Sequence, residues 1–504
     1  MKIEFGVFNY IVLFIYLIIM LGVGIYFSKR SGKSTDSFFK AEGRIPGWAV
    51  GVSIFATTLS AITFMSIPAL SYRTNWAMGF SNLAIVAIAP IVVIFFVPFF
   101  RKLKVTSAYE YLEYRFNVKM RLLGSIIFML FHIGRVAIVI YLPTLALESV
   151  TNINPVFLVI IIGLLCIAYT FLGGIEGVIW GDVIQGFLLL GGAILIIIFL
   201  FFKISHPEKA IVDAVVDNGK LLTSSNFGLS FFKATIVGIF IGGIFSSLYQ
   251  YIGSQDVVQR YNTTKNIAET NKALYVNAKL AFLVIFIFFG MGTVLYIYYR
   301  QNPSLLPGNF NIDSIVPYFI ITEMPAGVAG LIIAAIFAAA QSTISSSLNS
   351  ISACFVVDIR ERFSSNFTDK GSVMLARFVI IIAGLIGTGV ALYMTVTNQA
   401  HLQIVFQSLL GLFGGPIAGA FILGIFSKRA NGNGVLIGVI ASVIILYFVK
   451  ETDIYFMYYG AIGVLVSAIL GYLFSFIFHD KKTIKGLTYY TVHEPVELFE
   501  NKHK

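Results

Sequence analysis

Charge is scarce in this chain of 504 residues: Asp, Glu, Lys and Arg make up 12% of it, where an ordinary soluble domain carries roughly 25%. That shortage excludes an ordinary soluble multidomain enzyme, and with 58% hydrophobic residues it excludes a disordered chain as well. Cysteine is nearly absent. Cys166 and Cys354 both lie inside apolar runs, so a disulfide-stapled secreted scaffold is excluded and the two read as packing residues. There are 6 histidines, of which His132 alone lies deep in an apolar run. No His or Cys cluster offers a metal centre or a hydrolytic constellation, and His132 reads as a packed helix residue near Arg135. Basic residues outnumber acidic ones by 11, yet they form short groups between apolar runs rather than one patch, which argues against nucleic acid.

Long apolar runs are what the chain has instead, with a mean hydropathy of +0.88. A helix needs about 20 apolar residues to cross about 30 Å of hydrocarbon. Thirteen runs meet that need, at about 7–27, 47–71, 77–100, 122–150, 155–172, 178–202, 229–252, 274–298, 317–357, 373–396, 402–427, 434–449 and 454–479. The sequence therefore predicts an all-α integral membrane protein. Lys29-Arg30 follow the first run, which has neither a basic n-region nor a small-residue cleavage site, so it is expected to be a retained helix. With the N-terminus outside, 24 of the 35 lysines and arginines fall in the inside segments 29–44, 101–121, 260–272, 360–370, 428–429 and 481–504, against 7 in the outside ones. This bias predicts N-terminus outside and C-terminus inside. The tail from Tyr489 is expected to be polar and mobile.

Polar groups inside the runs carry the functional signal, because they are costly in hydrocarbon. Arg135 lies midway along LFHIGRVAIVIYLPT with no acid nearby in sequence. Its guanidinium keeps its proton and offers a fork that fits a carboxylate. It meets either an anionic ligand or an acid on another helix. Asp182 lies near the start of the sixth run, in GGIEGVIWGDVIQG; it reads as a cation ligand or counter-charge, or as a helix-end carboxylate in water, the last suiting Glu176 better. Glu323 and Asp358 bracket the ninth run and read as interfacial. Within that run, Ser342, Ser345, Ser346 and Asn349 share one helical face, overlapped by Ala339, Ser342, Thr343 and Ser346. Such hydroxyls serve helix packing or a weakly held monovalent cation.

Two runs look interrupted. The second, SIFATTLSAITFMSIPA (53–69), concentrates Thr57, Thr58, Ser60 and Thr63 before Pro68; the seventh has IGGIFSS (241–247), with a break expected at Gly242-Gly243. Broken helices at mid-depth are tolerated where they line a cavity, and a matching pair points to a transporter built of inverted repeats. The repeats would span 47–202 and 229–427. An extra helix (7–27) would precede them, and two helices (434–479) and a cytoplasmic tail (480–504) would follow.

Five segments in order, FATTLSAITFMSIPA (55–69), FHIGRVAI (131–138), YTFLGGIEGVIWGDVIQ (169–185), GSQDVVQRY (253–261) and GLIIAAIFAAAQSTISSSLNS (330–350), resemble the sodium/solute symporter family, and within it the bacterial sodium/sialic-acid symporters. The resemblance covers essentially the whole chain and implies a LeuT-type fold in a bacterial cell membrane. It also implies symport of sialic acid with Na⁺, two ions per substrate, by alternating access. It places a first Na⁺ at the carbonyls of Ala56, Leu59 and Ala339 with the hydroxyls of Ser342 and Thr343. A second Na⁺ would meet Asp182, Ser342, Ser345 and Ser346. The substrate carboxylate would meet Arg135, with Thr58, Ser60, Thr63 and Asn82 close by. Met78 and Asn82 depart from a larger aromatic and a longer amide in the relatives, and Gly243 stands where a bulky side chain can occur; these changes bear on selectivity among sialic acids. The implied partners are sialic acid, sodium and membrane lipid, with neither nucleic acid nor an obligate protein partner. Another cargo of the same family, such as a monocarboxylate or proline, remains open. A channel would need polar groups along a whole pore, and an enzyme a reactive constellation.

Overall fold

The structure is a computed structural model and describes residues 5–148, 151–364, 368–397, 402–478 and 484–495. Among them the chain is helical, with no β-structure beyond a single bridge between Ile45 and Thr264. In the absence of water every backbone polar group must be satisfied within its own segment, which is why apolar stretches of this length fold as helices.

The first helix, α1 (Val7–Ser31), exposes Phe14, Ile15 and Ile18. The second run divides into α2 (Gly47–Thr58) and α3 (Ala61–Arg73), bent by 63°. Leu59 and Ser60 have extended backbone there, and the Thr58 hydroxyl donates to the Phe55 carbonyl at 2.9 Å. The same carbonyl also accepts from the Leu59 N–H at 2.9 Å, so the hydroxyl adds a bond to the end of the helix where the chain leaves it. There follow α4 (Phe80–Phe95), a short α5 (Ala108–Arg115) closed by a Ser107/Glu110 capping box, and α6 (Val118–Glu148).

α7 (Pro155–Lys203) has 49 residues, about 70 Å of helix, or two crossings. The predicted fifth and sixth runs meet inside it at Gly174, whose φ of 54° and ψ of −163° turn the chain. A Cβ at Gly174 would sit 2.9 Å from that of Ser31, so glycine is required on both counts. Glu176 does lie in this turn, but it is buried rather than in water. It accepts from Arg44 at 3.1 Å and lies 3.9 Å from Arg30. Trp48 of α2 meets Trp180 of α7 edge to face, ring centres 5.8 Å apart.

The seventh run is broken too, but not at Gly242-Gly243. α8 (Ile236–Ile252) runs through both glycines, and the 57° bend falls at Gly253-Ser254, before α9 (Gln255–Tyr261). The pair serves close packing instead. A Cβ on Gly242 would lie 2.3 Å from the Met457 carbonyl, and one on Gly243 would lie 2.9 Å from Cβ of Ala84 in α4.

α10 (Ile267–Gln301) contains a π-turn at Ile285–Phe289, and α11 (Val328–Phe363) a π-segment at Cys354–Arg360. α11 is the axle of the fold: every residue from Ile332 to Ala353 is buried, against α7, α6 and α1. Cys354 and Cys166 are buried free thiols. Asp358, at the end of α11, is fully buried rather than interfacial; it accepts from Arg121 at 2.7 Å and Ser107 at 2.6 Å. Glu323 bonds to Tyr298 at 2.7 Å and pairs with Lys203. Outside the spans, burial alone would raise the Glu113 carboxyl of α5. Contacts from Arg121 (2.8 Å) and Arg362 (2.7 Å) outweigh it and hold it below its ordinary range. The stabilisation it lends is present above its unfolded-state value and is lost as pH falls through the lowered one.

α12 (Asp369–Thr397), α13 (Leu402–Phe426), α14 (Gly432–Val449) and α15 (Tyr458–Phe474) complete the chain. Eight helices among the described residues are long and apolar enough to cross a membrane, ten if each bent pair is one span. The sequence's count of thirteen also divides α7 in two and admits α13 and α15; that count and the sidedness of the termini stay expectations. Part of the predicted tail, 480–483 and 496–504, lies outside the described residues. Its remainder touches the helices at several points, although Tyr489 and Tyr490 are themselves exposed. Tyr489 stacks on Phe95 and Phe426, Tyr111 donates to the Leu487 carbonyl at 3.0 Å, and Lys102 donates to the carbonyls of Val492, at 2.5 Å, and Glu494. Aromatic rings, backbone acceptors and two lysines hold this segment, Lys428 standing 4.8 Å from the centre of the Tyr490 ring.

α14 and α15 touch through glycines: a Cβ on Gly438 would lie 2.4 Å from the Gly471 nitrogen, whereas one on Gly191 would meet nothing within 4 Å. Gly438→Val should therefore lower the thermal unfolding temperature of the purified protein, a cost of about 1–3 kcal/mol or more, while Gly191→Ala should leave it unchanged or slightly raised.

Candidate functional site

The bend between α2 and α3 opens a cavity of about 220 Å³. Thr58, Ser60, Thr63, Met78, Asn82 and Arg135, all named from the sequence, line it together. Its wall is completed by Ser81 of α4, by Ser246, Ser247 and Gln250 of α8, and by apolar Phe131, Val139 and Met457. One guanidinium, several hydroxyls, two amides and apolar faces suit an anionic solute with many hydrogen-bonding groups. Met78 sits in a 3₁₀ turn before α4 rather than on that helix, and its sulfur accepts from the Tyr455 hydroxyl at 3.4 Å. Gly243 lines the cavity as well, but its small size is already used by the contact with α4.

Arg135 has the acid that the local sequence lacks. It donates through Nη1 to Asp256 at 3.1 Å and through Nη2 to the Thr57 carbonyl at 2.9 Å. Asp256 also accepts from Ser254 at 2.5 Å. Arg135 is thus both a cavity-lining group and half of a buried ion pair. His132, one turn before it, bonds through Nδ1 to Ser347 at 3.0 Å and stacks on Phe128.

Behind the cavity, toward α7 and α11, lies a second polar cluster. Asp182 is fully buried. Its Oδ1 accepts from Ser342 at 2.7 Å, and its Oδ2 accepts from Ser53 at 2.5 Å and Thr57 at 3.4 Å. Thr57 and Ser346 hydroxyls are 2.9 Å apart. Thr343 donates to the Thr57 carbonyl at 3.2 Å and the Ala339 carbonyl at 3.3 Å, which ties α11 to the last turn of α2, the turn that holds Ala56 and precedes Leu59. The structure therefore brings Asp182, Ser342 and Ser346 together and sets Thr343 and Ala339 against the α2 break. Ser345 is buried, but its hydroxyl bonds back to the Ser342 carbonyl at 3.2 Å.

Sequence reasoning missed Arg260 and Asp256. Arg260 was counted with an inside connection; it is fully buried and does not contribute to the loop bias. It donates to Asp182 at 2.9 Å, Ser346 at 2.6 Å, Thr57 at 3.0 Å and Ser53 at 2.8 Å. Both residues belong to α9, all seven residues of which are buried. Their i, i+4 spacing was the available signal, since it puts both charges on one helical face.

The family model described as the sodium:solute symporter family matches residues 38–442. The chain is similar to the sodium/sialic acid symporter NanT of Aliivibrio fischeri, 53% identical over 93% of each chain. It is similar also to the sodium/sialic acid symporter SiaT of Proteus mirabilis, 50% identical over 95% of this chain and 97% of that one. A solved structure described as the substrate-bound outward-open state of a Na⁺-coupled sialic acid symporter superposes with a TM-score of 0.89 at 50% identity, over 94% of this chain and 99% of the other.

Asp256→Asn removes the carboxylate facing a buried guanidinium, a change worth about 3–5 kcal/mol. Thermal unfolding of the purified protein should show a clear loss of stability, and adding Arg135→Gln should recover part of it, because the pair is then neutral.

Proposed function

Because the chain belongs to the sodium:solute symporter family, we propose that it is a Na⁺-coupled sialic acid symporter, a multi-pass protein of the bacterial plasma membrane with the LeuT-type fold. It moves substrate into the cell by secondary active transport. The observation that carries this reading is the cavity at the α2–α3 bend, where Arg135 and a wall of hydroxyls and amides adjoin the Asp182–Ser342–Thr343 cluster. A sialic acid carries one carboxylate, an acylated amine and a chain of hydroxyls. A small monocarboxylate or proline would use the guanidinium and leave Ser60, Asn82 and Gln250 without partners.

Arg135 is assigned to the substrate carboxylate, with Thr58, Ser60, Thr63 and Asn82 around the sugar. In this assignment the substrate competes with Asp256 for the fork. The first Na⁺ takes the carbonyls of Ala56, Leu59 and Ala339 with the hydroxyls of Ser342 and Thr343; the second takes Asp182, Ser342, Ser345 and Ser346. Residues 47–202 and 229–427 are taken as the two repeats, each opening on a broken span, and lipid covers the outward faces.

Two sodium ions make physical sense. One Na⁺ with one anion moves no net charge, so a tenfold gradient supplies only about 1.4 kcal/mol. A second Na⁺ adds as much again and carries one net charge, worth about 2.3 kcal/mol at 100 mV. The total, roughly 5 kcal/mol, permits several-thousandfold accumulation. The protein's own charges are already balanced, with Asp182 against Arg260 and Asp256 against Arg135. The loaded site therefore carries one extra positive charge, and that charge feels the membrane potential.

Uptake into proteoliposomes should require Na⁺ and move net positive charge inward; equal uptake with K⁺ in place of Na⁺ would refute symport. Asp182→Asn should bring the Hill coefficient for Na⁺ down towards one, and a value near two with unchanged charge per substrate would remove Asp182 from the second site.

For Arg135, loss of one charge-assisted bond corresponds to roughly 1.5–3 kcal/mol, about 10–150-fold in affinity. Arg135→Lys should bind substrate weakly and Arg135→Ala should show no measurable uptake. The methyl ester of the substrate should bind poorly to the parent protein and lose little more in the Ala variant. Full additivity of the two losses would mean that Arg135 holds only Asp256.

A further inference from the structure

Arg260 has no place in the transport scheme above, yet its side chain makes five hydrogen bonds in the core. Its Nη2 donates to Asp182, Ser346 and Thr57, its Nε to Ser53, and its Nη1 to the Asp256 carbonyl. Asp182 and Ser346 are two of the oxygen donors assigned to the second Na⁺, and a third, Ser342, bonds the other oxygen of the same carboxylate. A carboxylate so deeply buried needs a cation beside it, because an unpaired charge there is strongly destabilising. In this structure the cation is a guanidinium.

We propose that Arg260 is the resident cation of the Asp182 site, and that Na⁺ binds there by displacing its guanidinium from Asp182 and Ser346. This rests on the assignment of Asp182 to the second sodium. Arg260 holds Oδ2 of Asp182 and Ser342 holds Oδ1, so a Na⁺ at Ser342 and Ser346 would stand close to the guanidinium and be repelled by it in a medium that screens poorly. The guanidinium keeps Ser53 and the Asp256 carbonyl as anchors when it withdraws. Exchange therefore leaves the carboxylate paired at every stage, and the site need never be empty and charged.

Displacement also has a direction. Arg260 and Asp256 lie one turn apart on α9, and Asp256 holds Arg135, the guanidinium assigned to the substrate. Sodium at Asp182 loosens one ion pair of this short helix, and the substrate carboxylate loosens the other. Each event removes a restraint on the same element, so each lowers the cost of the other, which is what positive coupling between two ligands requires. Arg260 is on this account a positioning residue: it touches neither cargo directly, but sets how tightly the second Na⁺ binds.

The test is Na⁺ titration of the purified full-length protein without substrate, ionic strength held constant with N-methylglucamine, read by thermal stability and by tryptophan fluorescence. Arg260→Gln removes the competitor, so half-saturation at the weaker site should fall about tenfold or more, the scale of one charge-assisted bond, and stability should depend more steeply on Na⁺ than in the parent. Arg260→Lys keeps the charge but loses the planar fork, so it should fold where the Gln variant does not and shift half-saturation in the same direction by a smaller factor. Asp182→Asn serves as the control for the underlying assignment. If Asp182→Asn abolishes one sodium while both Arg260 variants bind Na⁺ as weakly as the parent or more weakly, Arg260 helps to build the site and the proposal is overturned. If Asp182→Asn leaves two sodium ions bound, the sodium assignment itself has failed, and the proposal with it. A parent Hill coefficient of one that rises in neither Arg260 variant would mean that the guanidinium never leaves, which also overturns it.

Discussion

A charge in the interior of a membrane protein must have its opposite within reach, and most of this core follows from that requirement. Four ionised side chains are buried at its centre: Arg135, Asp182, Asp256 and Arg260. They form two pairs, at 3.1 and 2.9 Å, and one short helix, α9, supplies a member of each. The pairs draw α9 against α2, α6, α7 and α11 at once. The core is thus neutral by itself, each buried carboxylate facing its own guanidinium.

The bent helices are the second consequence. α2 ends where the Thr58 hydroxyl bonds the Phe55 carbonyl, and the Thr57 carbonyl is used by Arg135 and Thr343. A straight helix would have spent that carbonyl on its own next turn. The break therefore creates acceptors at mid-depth that need no acidic side chain, which suits a cation that has to leave again. α11 provides the complement, because burial along its length holds Ser342, Thr343 and Ser346 against the end of α2 and Asp182.

Legibility of the sequence varied with the physics of each signal. Apolar run length is set by bilayer thickness, so the helices and the α2 break at Thr57–Ser60 could be read directly. Arg135 stood out because a cation in an apolar run has few explanations. Its partner did not, since Asp256 lies 121 positions away and no local pattern connects them. Arg260 was hidden by its neighbourhood: GSQDVVQRYNTTK looks like a polar connection, and only the fold reveals that the first part of it is interior helix. Gly242-Gly243 misled for a related reason. Glycine pairs mark both breaks and close helix contacts, and the difference lies in what packs opposite, here Met457 and Ala84. The contacts of the tail residues Tyr489 and Tyr490, with Phe95, Phe426 and Lys428, could not be read from a polar segment, because their partners lie elsewhere in the chain.

The packing of that late segment has a consequence for how the protein is made. Lys102 bonds to the Val492 carbonyl, 390 positions further along the chain. Ribosomes add about 5–20 residues per second, so those acceptors emerge roughly 20–80 s after the lysine. Until then Lys102 lacks these acceptors, and the ring of Tyr111 lacks Phe421, on which it stacks at 5.8 Å, so this corner is finished only by the last part of the chain. This corner of the protein is thus a record of completion: it can be covered only in a chain whose later helices have already been threaded into the bilayer.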